Sequence, residues 1–148
     1  IPKLKLYGID LWEVYPTYKD FDTTSEKNLP GSYDIAKENV KPYDCELIKG
    51  WSRDVVKNFK DESLDFVYID SNHAYEYVVE DIALWSKKVR KGGVIYGHDF
   101  DDYTNNKRWE RMNVVNAVEG WMKSYKIHPW FVLTNGKNKN WLYVKDKY

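Results

Sequence analysis

Apolar and polar positions alternate along the chain in short blocks whose period switches repeatedly between two and about three and a half residues. Leu4–Asp10 and Cys45–Lys49 are brief apolar runs, as is Leu64–Asp70, and each reads as a strand. Between the first two, Ser32 is placed to cap a helix through Val40, stopped by Pro42. After the second, Ser52 is placed to cap a short helix with Val55, Val56 and Phe59 on one face. Val78, Ile82, Trp85 and Val89 step by helical intervals, with Lys87, Lys88, Arg90 and Lys91 at the C-terminal end and Gly92 or Gly93 expected as the stop. Val94–Tyr96 then predicts a fourth strand, and Val114, Val115, Val118, Trp121, Met122 and Tyr125 a last helical stripe. Trp130–Thr134 and Trp141–Val144 close the chain as a hairpin around Gly136–Asn140. Strands alternating with helices predict an α/β fold with a mostly parallel sheet and an antiparallel hairpin at its C-terminal edge.

Length and charge narrow the classes. The 148 residues suit one domain, 1–148, and are short for two. Lys plus Arg and Asp plus Glu both number 23, so no basic surplus supports a nucleic-acid partner. No apolar run reaches the length of a membrane span, and Ile1–Asp10 has no leader character. The single cysteine, Cys45, excludes an internal disulfide or a Cys-based zinc site, which leaves a reducing, cytoplasmic setting as the expectation.

In open α/β sheets ligands bind beyond the carboxyl ends of the strands. Those ends carry Asp10, Gly50-Trp51-Ser52, Asp70 with His73, and His98-Asp99. Taken singly, a strand-end Asp is more often a turn former and a loop His a solvated surface group. Four such positions from four successive strands together mark a site. Asp10 suits the two hydroxyls of a ribose. Asp70, His73, His98 and Asp99 suit either a divalent cation or, through His73 or His98, a general base. Trp51 reads equally as core packing or as a surface for a purine. A nicotinamide-dependent reading shares the ribose acid but leaves the histidines unexplained.

Two stretches carry a family resemblance: Ile69-Asp70-Ser71-Asn72-His73-Ala74-Tyr75 and Gly92-Gly93-Val94-Ile95-Tyr96-Gly97-His98-Asp99. With Tyr7-Gly8-Ile9-Asp10-Leu11-Trp12 and Gly50-Trp51-Ser52 they resemble the class I S-adenosylmethionine-dependent methyltransferases, in the branch acting on small molecules. The resemblance implies a Rossmann-like sheet and O-methyl transfer to a small-molecule hydroxyl, with S-adenosylmethionine as cofactor. Asp10 would hold the ribose, Gly50, Trp51 and Ser52 would lie beside the adenine, and Asp70 near the methionine. Some relatives hold Mg²⁺ with acids at the positions of Asp70 and Asp99, although His98 stands where those relatives often carry another Asp. The family's first strand and glycine-rich turn would precede Ile1. Without them Leu4–Asp10 and Leu64–Asp70 are expected to be separated or forced to pair, and cofactor binding by these residues alone is expected to be weak. A homodimer through an exposed strand edge is a further expectation. The alternative is a non-catalytic methyltransferase-fold module that binds a partner through Trp12, Tyr15, Tyr18 and Phe21. Leu11–Pro30 and Asp101–Trp109 read as the loops that shape an acceptor pocket.

Overall fold

The computed structural model describes residues 3–13, 31–101 and 112–146. Most of the segments expected as acceptor loops, and Tyr15, Tyr18 and Phe21, lie outside them. The elements in order are β1 (Leu6–Asp10), α1 (Ser32–Val40), β2 (Cys45–Lys49), α2 (Ser52–Val55), β3 (Leu64–Ile69), α3 (Tyr75–Lys88), β4 (Val89–Gly97), α4 (Val114–Tyr125), β5 (Trp130–Leu133) and β6 (Asn140–Val144), with a 3₁₀ turn at Val56–Asn58. The chain divides into two compact units, Ile1–Val55 and Val56–Tyr148. No described helix is long and apolar enough to cross a membrane.

In the first unit β1 and β2 pair in parallel, with Leu6 opposite Cys45 and Asp10 opposite Lys49. The Gly50 N–H donates to the Asp10 carbonyl at 3.0 Å, carrying the pairing past the strand ends. Ser32 is the first helical residue of α1 and not its cap. Gly31 takes that position with φ of 83°, a left-handed conformation that glycine adopts without a side-chain clash.

The second unit holds a four-stranded sheet in the order β3-β4-β6-β5. β3 and β4 are parallel, while β6 runs antiparallel to both β4 and β5. The fold is therefore mixed α/β with parallel pairing in the successive strand–helix–strand portions and the expected antiparallel hairpin at one edge. β1 and β3 belong to different sheets and do not pair. Ile69, Ile95, Trp141 and Tyr143 project from one face of this sheet into a core completed by Val78 and Ile82 of α3 and by Val114, Ala117, Val118, Trp121 and Met122 of α4. Ile82, Ile95 and Val118 have no exposed surface, and burying each such side chain contributes roughly 1.5–3 kcal/mol.

One expected boundary is wrong. The helix does not run on to a glycine stop. It ends at Lys88, and Val89 is already extended with ψ of 133°. Val89 pairs with Leu64 and is fully buried, which explains why it continued the helical apolar stripe in the sequence. Gly92 and Gly93 lie within β4 and not behind a helix. The Gly92 N–H donates to the Lys145 carbonyl and the Lys145 N–H to the Gly93 carbonyl, both at 2.8 Å. A Cβ on Gly93 would sit 2.5 Å from Val89 Cγ1 and 2.6 Å from the Asp65 carbonyl oxygen, so only glycine lets the strand bulge back this tightly.

Candidate functional site

The strand ends of the second unit converge as the sequence implies. Asp70 follows β3 directly, and the segment after it is fixed by several hydrogen bonds. The Ser71 hydroxyl donates to the buried Asp81 carboxylate of α3. The Ala74 N–H donates to Asn72 Oδ1 at 3.0 Å, and the Asn113 N–H to the His73 carbonyl at 2.9 Å. These hold His73 inward. From β4, the His98 N–H donates to the Ile69 carbonyl at 3.1 Å, and Asp99 follows with φ of 53°, a conformation that Asp tolerates better than most residues.

Asp99 is the hub of the cluster. Its Oδ2 lies 3.2 Å from His73 Nε2 and 3.2 Å from His98 Nδ1, while its Oδ1 accepts from Asn138 Nδ2 at 2.7 Å. His73 Nε2 is also 3.5 Å from Asp70 Oδ1. Burial by itself would raise the Asp99 carboxyl, but hydrogen bonds and charge from His73 and His98 outweigh it and hold the group down to about 2. The carboxylate is therefore ionised at neutral pH and accepts from both imidazoles. Tyr68, in edge contact with His98, has its phenol pushed up to about 12, by partial burial first and then by Asp70, Tyr96 and Asp99. It stays protonated at neutral pH.

Exposure separates the two histidines that the sequence leaves equivalent. The His73 side chain retains 7% of its surface and that of His98 28%. Only His98 presents a ring edge that a substrate could reach, whereas His73 is part of the support. The remaining histidine, His128, is exposed just before β5 and takes no part.

A Mg²⁺ ion held by Asp70 and Asp99 is poorly matched by this arrangement. Asp70, His73 and Asp99 each offer one ligand atom within 4.8 Å of the others, but one of the three is an imidazole nitrogen. Both Asp99 oxygens, moreover, already face N–H donors. Mg²⁺ demands near-octahedral oxygen ligation, and these groups supply little of it.

The first unit places the other predicted residues at its own strand ends. Asp10 is exposed and its Oδ1 accepts from the Trp12 N–H at 2.6 Å, which orients the carboxylate. Gly50, Trp51 and Ser52 follow the neighbouring strand, and the Arg53 guanidinium lies 5.1 Å over the Trp51 ring. The Trp51 carbonyl accepts from the Val55 N–H at 2.9 Å and opens α2, of which Ser52 is the first residue. An exposed carboxylate oriented in this way suits the two hydroxyls of a ribose. Trp12 is half-buried against Tyr33, with ring centroids 4.9 Å apart.

Asn138 was not among the residues marked by the sequence. It sits in the β5–β6 loop, where only a tertiary contact reveals its role. Its Asn-Lys-Asn setting reads locally as an ordinary turn.

Over 111 residues the chain is 30% identical to an uncharacterised protein of Acanthamoeba polyphaga mimivirus, covering 71% of this chain and 48% of that protein. Among solved structures it resembles the O-methyltransferase NovP, with a TM-score of 0.61 and 16% identity over 97% of this chain and 60% of that one. It also resembles an O-methyltransferase from Bacillus cereus in complex with SAH, with a TM-score of 0.63 and 20% identity over 95% of this chain and 63% of that one. The chain thus spans about half the length of its curated relative and less than two thirds of either structure. A family model described as a methyltransferase domain matches residues 3–100, which include both strand-end groups. The chain belongs to this methyltransferase-domain family.

Proposed function

We propose that the protein transfers a methyl group from S-adenosylmethionine to the hydroxyl of a small-molecule acceptor, with His98 as the general base. The observation that carries the reading is the pairing of a partly exposed His98 with a buried, ionised Asp99 at 3.2 Å. Asp99 accepts from His98 at Nδ1, so the lone pair of the neutral ring lies on Nε2. From there His98 takes the hydroxyl proton as the acceptor oxygen attacks, and the nearby carboxylate stabilises the imidazolium that forms. Base assistance of this kind contributes about 10²–10⁴-fold to a rate. When bound, the cofactor supplies an electrophilic methyl carbon on a sulfonium. Asp10 would hold the ribose hydroxyls, Gly50, Trp51 and Ser52 would serve the base, and Asp70 would serve the methionine end. Mg²⁺ has no role in this scheme.

Calorimetric titration with S-adenosylhomocysteine tests the reading on the protein at its full encoded length. Heat of binding is expected, lost in Asp10→Ala and retained in His98→Gln. No heat from the unsubstituted protein, or equal heat from Asp10→Ala, overturns it.

A further inference from the structure

The β5–β6 loop is fastened to the end of β4 by a short series of contacts. The Phe100 N–H donates to the Lys139 carbonyl at 3.0 Å, and the Lys139 N–H donates to Asp101 Oδ2 at 2.9 Å. Lys139 Nζ lies 3.4 Å from Asp101 Oδ1. One backbone hydrogen bond, one backbone-to-carboxylate hydrogen bond and one ion pair thus tie the loop to the segment that follows His98. Within loop residues 134–139, Asn138 alone is turned inward and half-buried, while the others are exposed. Its side-chain amide reaches Asp99 Oδ1 at 2.7 Å.

That contact has a chemical consequence. A carboxylate on a residue with two side-chain torsions can rotate and exchange its oxygens. Asn138 donates to one carboxylate oxygen and so fixes the plane of the group, which keeps the other oxygen directed at the imidazoles. Oδ2 then lies 3.2 Å from both His73 Nε2 and His98 Nδ1. An acceptor held at Nδ1 requires the proton there and the lone pair on Nε2. This is the opposite of what a histidine side chain adopts by default in water, where the Nε2–H form is favoured. The tautomer needed for a base at Nε2 is thus imposed from outside the ring.

We infer that Asn138 is a positioning residue for His98: through Asp99 it selects the tautomer that leaves Nε2 able to accept a proton. The inference rests on His98 being the base. It assigns to the C-terminal hairpin a part in the chemistry, since Asn138 touches neither the acceptor hydroxyl nor His98 itself and works through the carboxylate between them.

The test is the ¹⁵N spectrum of the histidine side chains in the chain at about pH 8, where imidazole is neutral. His98 is assigned by its loss in His98→Gln. In the unsubstituted chain His98 should show the Nδ1–H pattern. In Asn138→Ala, and in the near-isosteric Asn138→Asp, that pattern should be lost in favour of Nε2–H. Lys139→Ala, which removes only the ion pair to Asp101, should leave the pattern unchanged. Nδ1–H in the unsubstituted chain and in both Asn138 variants overturns the role of Asn138 and leaves His98 as base. Nε2–H already in the unsubstituted chain overturns the reading of His98 instead. A direct check needs no substitution: the Asn138 side-chain amide must exchange slowly with solvent, and fast exchange overturns the inference whatever the variants do.

Discussion

Replacing Asp99 by Asn isolates the electrostatic part of the cluster with little other disturbance. The residue has φ of 53°, which Asn adopts as readily as Asp, so the backbone is not strained by the change. The side chains are nearly the same size. What changes is the number of acceptors: three N–H groups, from His73, His98 and Asn138, converge on a carboxylate with two acceptor oxygens. An amide offers one oxygen and turns its own N–H₂ toward at least one of those donors. The Asp99 carboxyl is held at about 2 against an ordinary carboxylate value of 3.8, a depression equivalent to about 2 kcal/mol of folding stability. A group depressed on folding stabilises the native state fully above its unfolded value, and that contribution disappears as pH falls through the folded value. Asp99→Asn should therefore be less stable than the parent by about 2 kcal/mol at neutral pH, and the difference should close as pH falls from about 4 toward 2. Urea unfolding followed by fluorescence of the buried Trp121 and Trp141 at a series of pH values measures both curves. Equal stability at neutral pH refutes the reasoning. So does a deficit that stays constant with pH, because it would come from packing and not from charge.

Two other substitutions probe the scaffold beneath the site. A Cβ at Gly97 would lie 2.6 Å from the Ile69 carbonyl oxygen and 2.7 Å from the Trp141 ring, both fixed in the core, so Gly97→Ala should cost about 1–3 kcal/mol in thermal or chemical unfolding. A neutral result there would mean that β3 and β6 separate more easily than their packing implies. Lys145 is buried and its Nζ donates to the Val89 carbonyl at 2.8 Å. Lys145→Met leaves that carbonyl without this donor and should cost about 1–3 kcal/mol in chemical unfolding, with no loss meaning that the donor is replaced by water.

The elements were legible because their apolar periodicities are strong, and β2, β3 and α4 fall within a residue of where the pattern puts them. The region around Val89 was not, for a physical reason. A fully buried valine satisfies a helical stripe and a central strand equally, and only the pairing with Leu64 and the close approach of Gly93 to the Asp65 carbonyl decide between them. Asp70, His73, His98 and Asp99 were legible as a group because the parallel strands β3 and β4 deliver their ends to one edge of the sheet. Their division of labour was not. His73 and His98 have equal chemistry on paper, and burial of one and partial exposure of the other is a property of the packed loop between Asp70 and Ala74. Asp99 looked like a metal ligand in isolation, whereas its surroundings make it an acceptor for three nitrogen donors.

The location of Asn138 bears on how such a site is assembled. It lies 39 residues beyond Asp99, across α4 and β5. β6 lies between β4 and β5 and pairs with both, so the loop that carries Asn138 is held beside the end of β4, within reach of Asp99. A buried carboxylate is costly unless its oxygens are hydrogen-bonded, and here the nitrogen groups around it come from the loop after β3, from the end of β4 and from the hairpin. Contacts on both sides hold Asp99 in its left-handed conformation: His98 and its hydrogen bond to Ile69 before it, Phe100 and its hydrogen bond to Lys139 after it. The hairpin thus completes both the sheet edge and the cluster around Asp99, and loosening the loop should affect the histidines before it affects the core.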